Sequence, residues 1–261
     1  MPVTSRFEPR EFNPARTHYK ETASFRRFGV ELEYTSTPDQ SSWNGPLRST
    51  NFGAKTDPSV RGGEFYSPPM YGDEGLTQID KFCQIANEHN FECGSQAGYH
   101  LHIDLTNQTI DEIKRIAMAY HFTKKMWMKL VSSGRSSSGF CSGHEFDVSN
   151  INGWRTIADF SRFAGRLNRY AWANLHAYVA HRTIEIRCHH AVRDADQIKA
   201  WVIAHTMFTD MAVRGTVGSI SRIFSDKSNA QQFRELRAIL KRPEVSERLS
   251  QESQSVNPRR S

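Results

Sequence analysis

Phe28-Gly29-Val30-Glu31-Leu32-Glu33-Tyr34 puts an apolar or aromatic residue at nearly every second position, with two carboxylates between them. Successive side chains of a β-strand point to opposite faces, so the segment predicts a strand with one buried row and one acidic row. Two later segments repeat the pattern: Tyr99-His100-Leu101-His102-Ile103-Asp104-Leu105, and Arg182-Thr183-Ile184-Glu185-Ile186-Arg187-Cys188-His189. Side by side, their polar rows would hold Glu31, Glu33, His100, His102, Asp104, Glu185, Arg187 and His189. A face this dense in carboxylate, imidazole and guanidinium is costly to cover unless its charges are paired or bind metal. Strands polar on one side, alternating with helical segments, favour an antiparallel or mixed sheet with one open face over a covered parallel sheet.

A chain of 261 residues can bury one sizeable core, and 38% hydrophobic with 24% charged content excludes a disordered protein. No apolar run approaches the about 20 residues that cross a bilayer, so no membrane partner is expected. Met1 to Arg6 leads into a polar stretch without an apolar signal core, and Cys83, Cys93, Cys141 and Cys188 form no CxxC pair. Both features predict a cytoplasmic protein with reduced thiols. The net charge of +6 can attract nucleic acid, nucleotide phosphates or an acidic substrate. Arg162, Arg166 and Arg169 read as a solvated helix face, and Arg259 and Arg260 as a charged tail. Without zinc-finger spacing or an RNP motif, the sequence argues against nucleic acid.

Residues 1–24, rich in Pro, Arg, Thr and Glu, predict a flexible N-terminal arm. Residues 25–225 form the expected catalytic domain, and 226–261 a C-terminal helix and a frayed basic tail, fraying from about Glu244. Within the domain, Gly63-Glu64-Phe65-Tyr66-Ser67 predicts a strand that Pro68-Pro69 ends. Leu76, Ile79, Phe82, Cys83 and Ala86 recur at helical spacing between about Glu74 and His89. Thr109 and Glu112 form a capping box that opens a further helix. Asp194 caps another, with Ile198, Trp201, Val202, His205 and Phe208 inward. Residues 132–143 (SSGRSSSGFCSG) predict a mobile loop, residues 162–168 a helix, and residues 170–179 a strand.

Glu31 and Glu33 have backbones roughly 7 Å apart on one strand face, so each can take a different divalent cation or both can flank one. Glu64 and Glu185 add carboxylates, and His100 or His102 a nitrogen that Mn²⁺ tolerates better than Ca²⁺ does. Arg187, on the row of Glu185, is placed to neutralise a phosphoryl group or to fork onto a carboxylate. A single ExE is usually a solvated face, and Asp104 can simply pair with a neighbour. His121, His144, His176, His181 and His205 carry no ligand pattern. The weight lies in the three alternating segments taken together with Gly63-Glu64.

FGVELEY, KTDPSVRGGEFYSPP, AGYHLHIDL and RYAWANLHAYVAHRTIEIRCHHAVRDADQIKAW, in this order and spacing, closely resemble the amidoligase family across roughly residues 25–213. The resemblance implies an α+β, glutamine-synthetase-like fold: a curved, mainly antiparallel β-sheet with helices packed on one face. It implies an ATP-dependent carboxylate–amine ligase in which Mg²⁺ or Mn²⁺ bridges the ATP phosphates. The carboxylate would attack the γ-phosphorus to give an acyl phosphate, from which an amine displaces phosphate. Glu31, Glu33, Glu64, His100 and Glu185 match metal-binding positions of the family. His102 matches a phosphate-contacting histidine, and Arg187 an arginine that steadies the transferred phosphoryl group. Arg135 resembles a family arginine that reaches the nucleotide or acyl phosphate when its loop closes. One departure stands out. Related ligases carry an arginine two residues before the glutamate of TIEIR, where this chain has Thr183, and Arg182 is one step out of register.

Two other functions compete. His100-Leu101-His102-Ile103-Asp104 also has the HxHxD form of zinc hydrolases, although zinc wants three protein ligands and an open water position, and four nearby glutamates are oxygen-rich for it. A non-catalytic nucleic-acid-binding module would rest on the basic charge alone.

Overall fold

Three cross-strand rungs of apolar side chains organise the sheet in a computed structural model of the chain. The structure describes residues 26–37, 43–57, 60–94, 97–141, 146–215, 217–225, 227–240 and 243–256. The expected N-terminal arm and the last five residues of the tail lie outside them. Six strands, β1 (Phe28–Tyr34), β2 (Gly53–Asp57), β3 (Val60–Tyr66), β4 (Gly98–Asp104), β5 (Ala173–Asn174) and β6 (Thr183–His190), form one sheet in the order β2-β3-β1-β4-β6-β5. Every neighbouring pair is antiparallel. Phe65 lies opposite Leu32 and Leu32 opposite Tyr99. Val30, Leu101 and Ile186 form a second rung, and Phe28, Ile103 and Ile184 a third. All nine side chains are buried, each contributing about 1.5–3 kcal/mol of apolar burial.

Those rungs join one core with the helices α2 (Gly72–Glu88), α3 (Ile110–Lys129) and α7 (Ala195–Arg214), which follow the four-residue α1 (Asn44–Leu47) and flank the shorter elements between. The Thr109–Glu112 capping box forms as expected, with Thr109 N donating to Glu112 Oε2 at 2.7 Å and Glu112 N to Thr109 Oγ1 at 3.3 Å. Asp194 caps α7 by accepting from Gln197 N at 3.1 Å. The α+β, antiparallel reading of the sequence therefore agrees with the structure. Among the described residues no helix is long and apolar enough to cross a membrane. All four cysteines are free thiols.

Five local expectations differ from what forms. Of residues 132–143, the described part, 132–141, holds the helical turn α4 (Ser133–Ser136), pinned by Ser136 N on Ser132 O at 2.9 Å and by the buried Arg135 and Cys141. The helix expected over 162–168 is α5 (Ile157–Ala164), begun earlier by a Thr156–Asp159 capping box. In residues 170–179 only β5 pairs as a strand. Asn174 Oδ1 accepts from His176 N at 2.9 Å, an Asx turn that bends the chain into α6 (Ala177–His181). Beyond α8 (Val217–Phe224) and α9 (Asn229–Leu240), the stretch expected to fray from Glu244 is α10 (Pro243–Val256). Val245 and Leu249, one helical turn apart, are buried there, and Arg248 pairs with Asp194.

The fifth difference is in β6. Leu101 faces Ile186 but Tyr99 faces His189, so Arg187 and Cys188 together oppose His100 in a β-bulge. The extra residue reverses the parity of everything after it. Arg187 stays on the polar face, whereas His189, expected beside it, turns into the core. Its ring centroid lies 3.5 Å from that of Trp201, and its Nε2 is 3.2 Å from His205 Nε2.

Candidate active site

On the sheet face opposite α2, α3 and α7, polar side chains form rungs staggered between the apolar ones. Lys55 lies opposite Glu64 and Glu64 opposite Glu33. Glu31 lies opposite His100, and His102 opposite Glu185, which faces Asn174. The strand parity that buries Val30 and Leu32 thus delivers Glu31 and Glu33 to this face. β1 is flanked by β3 and β4, so its two glutamates meet carboxylates and imidazoles from both sides. A cleft of about 540 Å³ opens over them. Glu31, Glu33, Glu64, His100, His102, Arg135, Glu185 and Arg187 all line it, with Lys55, Asp57, Phe140, Arg169, Tyr170 and His181 among the remaining walls. Asp104 stands outside, paired with Arg27 at 2.8 Å.

Two groups of potential ligands emerge. One ligand atom from each of Glu31, His102 and Glu185 lies within 4.8 Å of the others, and the same holds for Glu33, Asp57 and Glu64. His100 stands between the groups, its Nδ1 3.4 Å from Glu31 and 3.6 Å from Glu185, its Nε2 3.6 Å from Glu33. The geometry therefore groups His102, for which the resemblance implies a phosphate contact, with two carboxylates, and gives His100 the bridging position. His102 Nδ1 and the Thr183 hydroxyl are 2.9 Å apart, which turns Nε2 toward Glu31 at 3.6 Å and Glu185 at 4.0 Å. Thr183, at the position where the resemblance implies an arginine, here orients an imidazole. Arg182 is left-handed at φ 58° and stacks on Tyr178 with its Cζ 4.9 Å from the ring centroid.

Electrostatics divides the carboxylates. Burial disfavours the charged form of Glu31, but hydrogen bonds and charge from His100 and His102 outweigh it and hold the carboxyl well below its ordinary pKa. Burial likewise opposes ionisation of Glu185, and His102, Arg187 and His100 overcome it. Glu64 behaves oppositely: burial, and then the negative charge of Glu31, push it up to about 8 despite Lys55 Nζ 2.7 Å away. His102 is raised, its burial outweighed by Glu31 and Glu185. Five carboxylates around one cleft, one of them hard to ionise, mark a site short of positive charge. The donor set is rich in oxygen with imidazole nitrogen beside it, and so fits hard divalent cations such as Mg²⁺ or Mn²⁺.

Around these groups sits a supporting shell. Arg187 pairs with Glu185 and donates from Nε to Phe140 O at 3.2 Å. Arg135 Nη2 donates to Arg187 O at 2.7 Å, so the small-residue segment delivers a buried guanidinium to the cleft wall. Asn174 Nδ2 donates to Glu185 Oε2 at 2.7 Å, and Gly98 N to Glu33 Oε2 at 2.6 Å. Gly98 leaves room for the ligands: a Cβ there would lie 2.8 Å from His100 Nε2, 3.0 Å from Arg135 Nη2 and 3.1 Å from Glu33 Oε2, and would displace those side-chain ends. Asp57, Lys55, Asn174, Thr183 and Gly98 all escape the sequence reading as site residues. For Asp57 a signal exists, since Lys55 and Asp57 alternate in the segment before Gly63-Glu64, but no apolar row beside them marks a strand.

No curated protein matches the chain significantly. The family model described as "Putative amidoligase enzyme" matches residues 38–209. The matched residues include Asp57, Glu64, His100, His102, Arg135, Glu185 and Arg187, while Glu31 and Glu33 on β1 precede them. A sheet that gathers these side chains in one cleft and a family model spanning most of its residues lead to one assignment: the chain belongs to the amidoligase family.

Proposed function

We propose that the protein is an ATP-dependent ligase that joins a carboxylate to an amine through an acyl phosphate, with Mg²⁺ or Mn²⁺. The observation that carries this reading is the pairing, in one cleft, of two carboxylate-rich groups with the guanidiniums of Arg187 and Arg135. Glu31, His102 and Glu185 would hold one ion and Glu33, Asp57 and Glu64 another, with His100 between them. When bound, such ions neutralise polyphosphate charge and align its oxygens. The protein itself would do the positioning.

A carboxylate oxygen of the donor attacks the γ-phosphorus, the bond to the β-phosphate oxygen breaks, and ADP leaves. Arg187 is suited to the charge on the transferred group, because Glu185 and Phe140 O fix its guanidinium before the nucleotide arrives. Arg135 is suited to the same task from the wall that bears Phe140. The amine then attacks the acyl carbon, the carbon–oxygen bond to phosphate breaks, and the nitrogen loses a proton as the amide forms. Phosphoryl transfer of this kind depends mainly on placement and charge neutralisation. A glutamine-synthetase-like sheet and a cytoplasmic setting belong to the same proposal.

The purified protein should release ADP and phosphate only when Mg²⁺, a carboxylate and an amine are all present. Silence across a broad substrate panel, with ATP binding also absent, would overturn the reading. The zinc-hydrolase alternative draws little support from the site, where each potential ligand group holds at most one histidine. The nucleic-acid alternative draws little from Arg162, which pairs with Asp159, or from Arg169, which lines the cleft.

A further inference from the structure

Lys55 and Arg187 are both cations held on a carboxylate of the cleft, but they are held differently. Arg187 is buried, and its guanidinium is shared between Glu185 and a backbone carbonyl. Lys55 has a side chain 53% exposed, against 6% for the Glu64 it contacts at 2.7 Å. The carboxylate is therefore fixed in the sheet, and the ammonium reaches it from a flexible, solvated stem. Lys55 Nζ also lies 5.5 Å from the ring centroid of Tyr66, whose face offers the charge a second resting place. Glu64 also belongs to the group with Glu33 and Asp57, and Asp57, two residues along β2 from Lys55 and past a shift in its register with β3, lines the same cleft.

We propose that Lys55 is a resident counter-ion: it occupies the Glu33–Asp57–Glu64 group until a divalent cation binds there, and is then displaced toward the cleft mouth. The proposal rests on the metal-dependent reading of the cleft and goes beyond it. An ammonium and a divalent cation repel each other across one carboxylate, so loading this group costs the exposed, flexible lysine its ion pair. Arg187 meets the same repulsion across Glu185 but is buried and held by Phe140 O as well, so it stays in place when the Glu31–His102–Glu185 group loads. The two groups then differ in affinity, the one at Lys55 being weaker. The freed ammonium stands at the rim of the same cleft, available to an anionic group on an entering substrate. Lys55 is in this sense a positioning residue that exchanges one partner for another.

Amine acetylation of the intact protein, read by mass spectrometry at low extents of labelling, tests the displacement without a substitution. Labelling of Lys55, normalised to the exposed Lys81 on α2, should rise by about threefold to tenfold as Mn²⁺ is added, the scale of releasing one half-exposed ion pair. The rise should follow the weaker of two Mn²⁺ binding steps measured by calorimetry. Lys55→Met should tighten that step by a similar factor and leave the stronger one unchanged. Arg169→Gln, which removes a cleft cation away from Glu64, should move neither. Unchanged Lys55 labelling while Mn²⁺ binds in two steps overturns the displacement and leaves the metal-dependent reading standing. Equal tightening by Arg169→Gln reduces the effect to general charge and also overturns it. If calorimetry detects no Mn²⁺ binding, the metal-dependent reading fails and this proposal with it.

Discussion

Glu185 is bonded by Arg187 and Asn174, lies 3.6 Å from His100, and is buried at the centre of the cleft floor. Glu185→Gln keeps its shape and removes the charge, so turnover should fall by about 10²–10³ with an unchanged circular dichroism spectrum. Turnover near the wild-type rate would refute its place in the site. Gly98 acts through what it lacks. Gly98→Ala pushes a methyl among His100, Arg135 and Glu33, whose side-chain ends can shift, so the sheet should survive. Urea unfolding should show a loss of about 1–3 kcal/mol, and ADP release should fall by about 10²-fold as the ligands move. At this scale the sequence reads well wherever one strand carries both rows, as for Glu31, Glu33, His100, His102, Glu185 and Arg187. Asp57 is hidden because its half-exposed strand has no apolar row, and Gly98 because a glycine's neighbours are set by tertiary contact.

Among the elements, helix starts are legible where the cap is local, as at Thr109 and Asp194, and the C-terminal Val245–Leu249 pair is missed inside a polar stretch. The bulge in β6 cannot be read from its own residues: Glu185, Arg187 and His189 keep their alternation in sequence, and only pairing with β4 shows which residue is extra. Its product is a buried polar seam between β6 and α7. His189 meets His205, and His205 Nδ1 lies 3.3 Å from the Tyr120 hydroxyl. Burial lowers the pKa of His205 to about 3, and burial with the neighbouring His205 lowers His189 well below its ordinary value. Such groups bind protons in the unfolded chain before they do so in the folded one. Their contribution to stability is thus complete above about pH 6.5 and lost as the pH falls, for His205 toward about 3. For His205 alone the loss at pH 4 is on the order of 3 kcal/mol relative to pH 7. Chemical unfolding of wild type and His205→Phe at both pH values should show a smaller drop for the variant, and equal drops would contradict the neutral seam.

For the whole molecule, α10 packs on α7 and α9 rather than trailing away. Ending the chain at Leu240 removes buried Val245 and Leu249, and thermal or urea unfolding should report a loss of about 3–5 kcal/mol. Equal stability would make α10 an ornament. The antiparallel sheet and its polar face follow from alternation that any single strand displays. The strand order does not, because it depends on which apolar rows meet. β1 sits inside that order, between β3 and β4, and supplies both an apolar row and two glutamates. A slip of one residue along either neighbour would drive Glu31 and Glu33 into the core and bring Val30 and Leu32 to the cleft. A chain so misaligned would be too unstable to persist, because unpaired carboxylates in an apolar core cost far more than a domain's net stability allows. Assembly of the reactive face and survival of the polypeptide are therefore one test, and a cell's proteases would discard miswoven copies without needing to sense their inactivity.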